Sequence, residues 1–252
     1  EQHERDQEAA REAAKVQTVQ QYGDLVFMPS KSVTMSENSR SSFQGNLNRW
    51  IYPAIGTQKM PDVTASDISA LLLSIQAQGK AHATVIKVYT ILNGLFKMAY
   101  LADIIPRNPM DKVERPRPRK DEAQDVAVEA YTVEEVRGIL AALEREPLKW
   151  RALVRLLIDT GIRRGECCGL QWADVDFRSN TVTICRNLCY TPQKGVYVDT
   201  PKNGKARVID VDPEIMDLLR ALRTQQAAHA ISAYVFTQDG RPAPMHPQSP
   251  TR

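Results

Sequence analysis

Leu157-Ile-Asp-Thr-Gly-Ile-Arg-Arg-Gly-Glu166 is the stretch around which the chain is best read. Ala152, Leu153, Leu156 and Leu157 recur at helical spacing, and Gly161 ends that run as a helix C-cap does. A second helical run carrying Cys167, Cys168 and Leu170 opens almost at once. Arg163 is therefore placed at a tight helix–helix corner, where packing on both sides holds its backbone still. A guanidinium held there offers a planar fork of donors that matches two oxygens of a phosphate. The same position also suits an arginine that only caps a helix or forms an ion pair.

The remaining composition narrows the class. The 252 residues suffice for one or two domains, and 25% charged with 42% hydrophobic residues is ordinary for a soluble protein. No apolar run approaches the roughly 20 residues of a membrane helix, and no signal peptide is visible. The first residue is Glu1 rather than Met, from which a missing N-terminus is expected. Net charge is only +3, but Lys112–Lys120 gathers five basic side chains against one acid. Such a window suits either a nucleic-acid contact or a solvated linker. Cys167, Cys168, Cys185 and Cys189 do not have C-x-x-C zinc spacing, and the adjacent pair reads as small core residues. Without a disulfide framework the chain reads as a protein of a reducing cytoplasm.

Along the chain, residues 1–17 form a polar helical tail and 18–102 a compact helical domain. Thr18, Ser36 and Thr64 are N-cap candidates, and a long helix is predicted from about Ala81 to Leu101. Pro53 and Gly56 are expected to stop the Ser36 helix. Residues 103–130, with four prolines between Asp103 and Glu129, form a basic interdomain linker. The last domain, 131–252, opens on the capping box Thr132–Glu135. Strands are predicted at 180–186, 196–200 and 207–211, then a helix with Pro213 at its first position. Asn203-Gly204 between the last two strands signals a tight hairpin. Lys202 and Lys205 would then project from a ribbon tip, where lysines also serve solubility alone. The fold class is mainly α with a small β-sheet, α+β.

Thr160-Gly-Ile-Arg-Arg-Gly-Glu166, followed by Leu170-Gln-Trp-Ala-Asp-Val-Asp176, a β-rich stretch and the lysine turn, resembles the tyrosine recombinases, the phage and transposon integrases. The resemblance runs from about Thr18 to the C-terminus. It implies a helical core-binding domain joined by an extended strap to an α/β catalytic domain, together clamping double-stranded DNA. It also implies phosphoryl transfer without metal or cofactor, through a covalent phosphotyrosine. Arg163 would stabilise charge on the phosphate and Lys202 would protonate the leaving 5′-oxygen, with Lys205 as the alternative. Glu166, one turn beyond Arg163, would orient these cations. Lys80, His82, Thr84 and Lys87 near one helix start, and Arg115, Arg117, Arg119 and Lys120 in the strap, are the candidate DNA contacts.

The family's His-x-x-Arg box and nucleophilic tyrosine lie beyond the lysine turn. His246-Pro-Gln-Ser249 lacks the arginine, and Tyr234 comes too early. A chain truncated before the second half of its catalytic domain, inactive alone, is the expectation. A tetramer of full-length protomers on DNA, in the cytoplasm or nucleoid and away from membranes, is implied for the parent. The alternatives are a non-catalytic DNA-binding relative or regulator, and an α-helical adaptor in which Arg163 and Lys202 are structural.

Overall fold

The computed structural model describes residues 17–119, 130–201, 204–228, 231–239 and 241–251. The chain divides into two compact units, Glu1–Ala127 and Val128–Arg252. Among the described residues no helix is long and apolar enough to cross a membrane.

The first unit is helical. Thr18 caps α1 (Val19–Tyr22) with a capping box closed by Gln21, and the helix continues through a π turn, Gly23–Phe27, into α2 (Met28–Ser32). Ser36 caps α3 (Glu37–Asn46), which passes through a second π turn, Leu47–Ile51, into α4 (Tyr52–Ile55). Pro53 does not end this helix as expected. It falls in the first turn of α4, where a missing N–H costs little. The first π turn is tied to the helices flanking the second, where Tyr52 donates to Asp24 at 2.8 Å and Gln44 donates to the same carboxylate oxygen at 3.2 Å. Thr64 caps α5 (Ala65–Ala77), with Asp67 completing the box, and α6 (His82–Leu101) follows. Phe27, Leu47, Ile51, Ile68, Ile75, Val85, Leu92, Leu95 and Phe96 are buried together.

The stretch read as linker from residue 103 begins inside this core. Ile104, Ile105, Met110 and Val113 are buried with the helices, and Pro109–Lys112 is a short 3-10 turn packed on α5 and α6. Proline content misled here, because four apolar side chains spaced along an irregular segment leave no period to read. Past Val113 the strap stays close: Gln76 Nε2 donates to Arg117 O, and Arg119 Nη1 donates to Gln76 O, both at 3.4 Å.

The second unit opens with α7 (Val133–Leu143), capped by Thr132 and Glu135. Then come α8 (Leu148–Thr160) and α9 (Arg164–Cys168). A 3-10 turn, Trp172–Asp174, leads into β1 (Val175–Asp176), β2 (Thr181–Ile184), β3 (Asn187–Thr191), β4 (Gly195–Asp199) and β5 (Arg207–Asp210). Asp212 caps α10 (Pro213–Ala227). The strands form two sheets, β1-β2-β5 and the ribbon β3-β4, all antiparallel. Ala152, Leu153, Leu156, Val182, Ile184, Met216, Leu219, Val235 and Phe236 form the core.

The hairpin expected at Asn203-Gly204 is not formed between its flanking strands. β4 pairs with β3 and β5 with β2, so the segment between them crosses from ribbon to sheet. Lys202 and Asn203 lie outside the described residues; Gly204 adopts φ +66° and its N–H donates to Pro201 O at 2.7 Å. The hairpin actually built is β3–β4, with Gly195 at φ +70° closing its exposed tip.

Candidate active site

Gly161 adopts φ +60° and its N–H closes on Leu157 O at 3.0 Å, so α8 ends in a left-handed cap. Two residues later Arg163 is extended, at φ −71° and ψ 146°, and is the N-cap residue of α9. The corner read from the sequence is there, and what lies beneath it is Glu166. The Glu166 side chain has no solvent exposure, whereas that of Arg163 is 54% exposed. Glu166 Oε2 accepts the Arg163 backbone N–H at 2.9 Å, and Oε1 accepts Arg163 Nη1 at 3.2 Å.

A second guanidinium reaches the same carboxylate. Arg207, the first residue of β5, donates Nη1 to Glu166 Oε1 at 3.0 Å and Nη2 to Oε2 at 2.6 Å. Burial by itself would push the Glu166 carboxyl up. The hydrogen bonds from Arg207 and Arg163 and the charge of Arg207 outweigh it, and the carboxyl is held below the usual glutamate range. The same pair raises the Arg207 guanidinium, which is protonated at any working pH.

Packing fixes α9 under this cluster. A Cβ at Gly165 would run into Asn187 Oδ1 and lie 2.7 Å from Leu188 O, so only glycine lets α9 approach β3 this closely. Cys167 and Cys168 are buried as the sequence predicts, and burial raises both thiols.

The other residues singled out in the sequence divide between the two units. Lys205 is exposed beside Gly204, while Lys202 and Lys120 lie outside the described residues. In the helical unit, Lys80, His82 and Thr84 are half-buried and Lys87 is exposed, all at the start of α6. That helix has no side-chain N-cap, its N-cap position being Ala81. Arg115 and Arg117 are exposed, and Arg119 is tied to the end of α5, four residues before Lys80.

A family model described as the phage integrase family matches residues 129–252. The chain is 26% identical over 176 residues to a XerC-like tyrosine recombinase of Caldanaerobacter subterraneus subsp. tengcongensis, covering 65% of this chain and 41% of that protein. It is 21% identical over 228 residues to the ICEBs1 integrase of Bacillus subtilis, covering 86% and 60%. With the prophage integrase IntZ of Escherichia coli it shares 23% over 202 residues, covering 80% and 45%. Residues 129–252 belong to the phage integrase family, the family of tyrosine recombinases.

The chain spans between 41% and 60% of the length of these relatives. Its fold matches that of the Tn1549 transposon integrase solved with circular intermediate DNA, with a TM-score of 0.73 at 19% identity over 91% of this chain and 74% of that one. It also matches a lambda integrase dimer bound to a core site, with a TM-score of 0.71 at 17% identity over 96% and 63%. Within this recombinase fold, Arg207 is the residue that sequence reasoning missed. An arginine leading a β-branched run carries no local signal. Its partner lies 41 positions away, and only the β2–β5 pairing brings them together.

Proposed function

We propose that this chain is part of a site-specific DNA recombinase of a mobile element, which breaks and rejoins DNA through a covalent phosphotyrosine. The observation that carries the reading is the buried Glu166 holding the exposed Arg163 at the Gly161 corner, within the segment matched to the integrases. A scissile phosphate gains negative charge on its non-bridging oxygens during attack, and a rigid, preorganised cation lowers that barrier. Arg163 is such a cation: its backbone is set by the cap and its Nη1 by a carboxylate that cannot move to solvent. Removing a donor of this kind typically costs about 3 kcal/mol of transition-state stabilisation.

In this reading Lys202 is the general acid for the leaving 5′-oxygen, with Lys205 the alternative, and duplex DNA is the partner, gripped by several protomers together. The Tn1549 integrase solved with circular intermediate DNA and the lambda integrase tetramer solved on a Holliday junction support that assembly. The uncapped start of α6, with Lys80, His82, Thr84 and Lys87, and the strap residues Arg115, Arg117, Arg119 and Lys120 are the proposed backbone contacts. The place of action is the cytoplasm or nucleoid.

The test uses the full gene product that contains this chain and a nicked duplex bearing the element's own attachment site, with covalent adduct read on a denaturing gel. Lys202→Ala is expected to abolish the adduct while duplex binding survives. Sulfur at the bridging 5′ position, a better leaving group, should restore it. Restoration confined to Lys205→Ala would exchange the two roles. If neither variant loses adduct, neither lysine is the acid.

A further inference from the structure

One carboxylate and two guanidiniums share the Glu166 site, and the geometry divides them unequally. Arg207 engages both carboxylate oxygens with its two terminal nitrogens, whereas Arg163 uses a single side-chain contact at 3.2 Å. Arg207 is rooted in the sheet, paired across to Ile184 of β2. We propose that Arg207 is a positioning residue that neutralises Glu166, leaving Arg163 a net cation turned to solvent and available to a phosphate. The proposal rests on reading Arg163 as a phosphate ligand.

The reason lies in the cost of an uncompensated buried charge. Glu166 has no solvent, so its charge must be met by whichever cation is in reach. With Arg207 in place the fork-to-fork pair meets it, and Arg163 keeps 54% of its side-chain surface open. Without Arg207, the cation left at hand among the described contacts of Glu166 is Arg163 itself. Its guanidinium is then drawn down onto both oxygens, and both its donors and its net charge are lost to a phosphate.

The experiment is a titration of the chain with inorganic phosphate, followed on the arginine Nε–H resonances, that of Arg163 being assigned through Arg163→Lys. In the unsubstituted chain the Arg163 signal is expected to respond. Arg207→Gln should weaken that response about tenfold, the size of a coupled charge interaction. Adding Glu166→Gln to Arg207→Gln removes the carboxylate that captures Arg163, and should bring the affinity back to within about twofold. Glu166→Gln alone, which leaves both cations uncompensated, should bind phosphate at least as tightly as the parent chain. That arm decides the matter even if Arg207→Gln does not fold. A double variant no better than Arg207→Gln, or a Glu166→Gln chain that binds more weakly, would mean that Arg207 only props the fold, and the proposal falls. An Arg163 signal silent in the unsubstituted chain overturns the phosphate reading itself, and is distinguished by appearing before Arg207 or Glu166 is touched.

Discussion

Glu166 is a carboxylate sealed from water, and its titration shows what the cluster contributes to stability. Its folded pKa lies below the usual glutamate value of about 4.3, so the unfolded chain binds the proton more readily. The corresponding stability is fully present above that pH and is lost as acidification carries the carboxyl through its folded pKa. Urea midpoints of the second unit should therefore fall below about pH 4.5, and Glu166→Gln should flatten that dependence. Equal slopes for the two proteins would assign the acid sensitivity elsewhere. Glu166→Ala is expected to cost about 2–3 kcal/mol in the same measurement. That is somewhat less than a fully buried pair, because both guanidiniums reach solvent.

At the scale of elements, the sequence was most legible where the signal is local. Thr18, Ser36, Thr64 and Thr132 cap helices in the expected places, because a capping side chain and its target N–H are three residues apart. The Gly161 corner was legible for the same reason. Strand pairing was not: β3 went unread because Asn187, Cys189 and Tyr190 give no clean alternation, and the Asn203-Gly204 turn signal says nothing about which strands its neighbours join. The Glu166–Arg207 pair was hidden because it depends on that pairing. Close approach of α9 to β3 gives a sharp test. The obstacle to a Cβ at Gly165 includes the Leu188 carbonyl at 2.7 Å, which no rotamer change relieves. Gly165→Ala should lower the thermal stability of the second unit by about 1–3 kcal/mol, as overpacking does. An unchanged melting curve would show that β3 moves away at little cost. Gly45→Ala, where a Cβ meets nothing within 4 Å, is the control.

The whole molecule has two separate buried cores, and the strap between them is where a protease should act first. Arg115 and Arg117 both precede proline, which trypsin does not cut, and Lys112 lies in the 3-10 turn packed on α5 and α6, so Arg119 and Lys120 are the basic residues of that window open to cleavage. Trypsin should therefore release two fragments near this point, each melting in its own cooperative transition. Early cuts between Val136 and Leu222, or a single shared transition, would refute the two-unit description. The packing of Ile104, Ile105, Met110 and Val113 against the helices also bears on domain exchange among recombinases. A chimera that splices foreign sequence in at Ala102, where composition changes, discards four plugs and leaves their sockets open to water. Spliced after Arg119, the graft carries its own closure, together with the two hydrogen bonds to Gln76. Transplants of this helical half should express as soluble protein only in the second form, so the exchangeable unit is longer than its helices by the width of that irregular wrap.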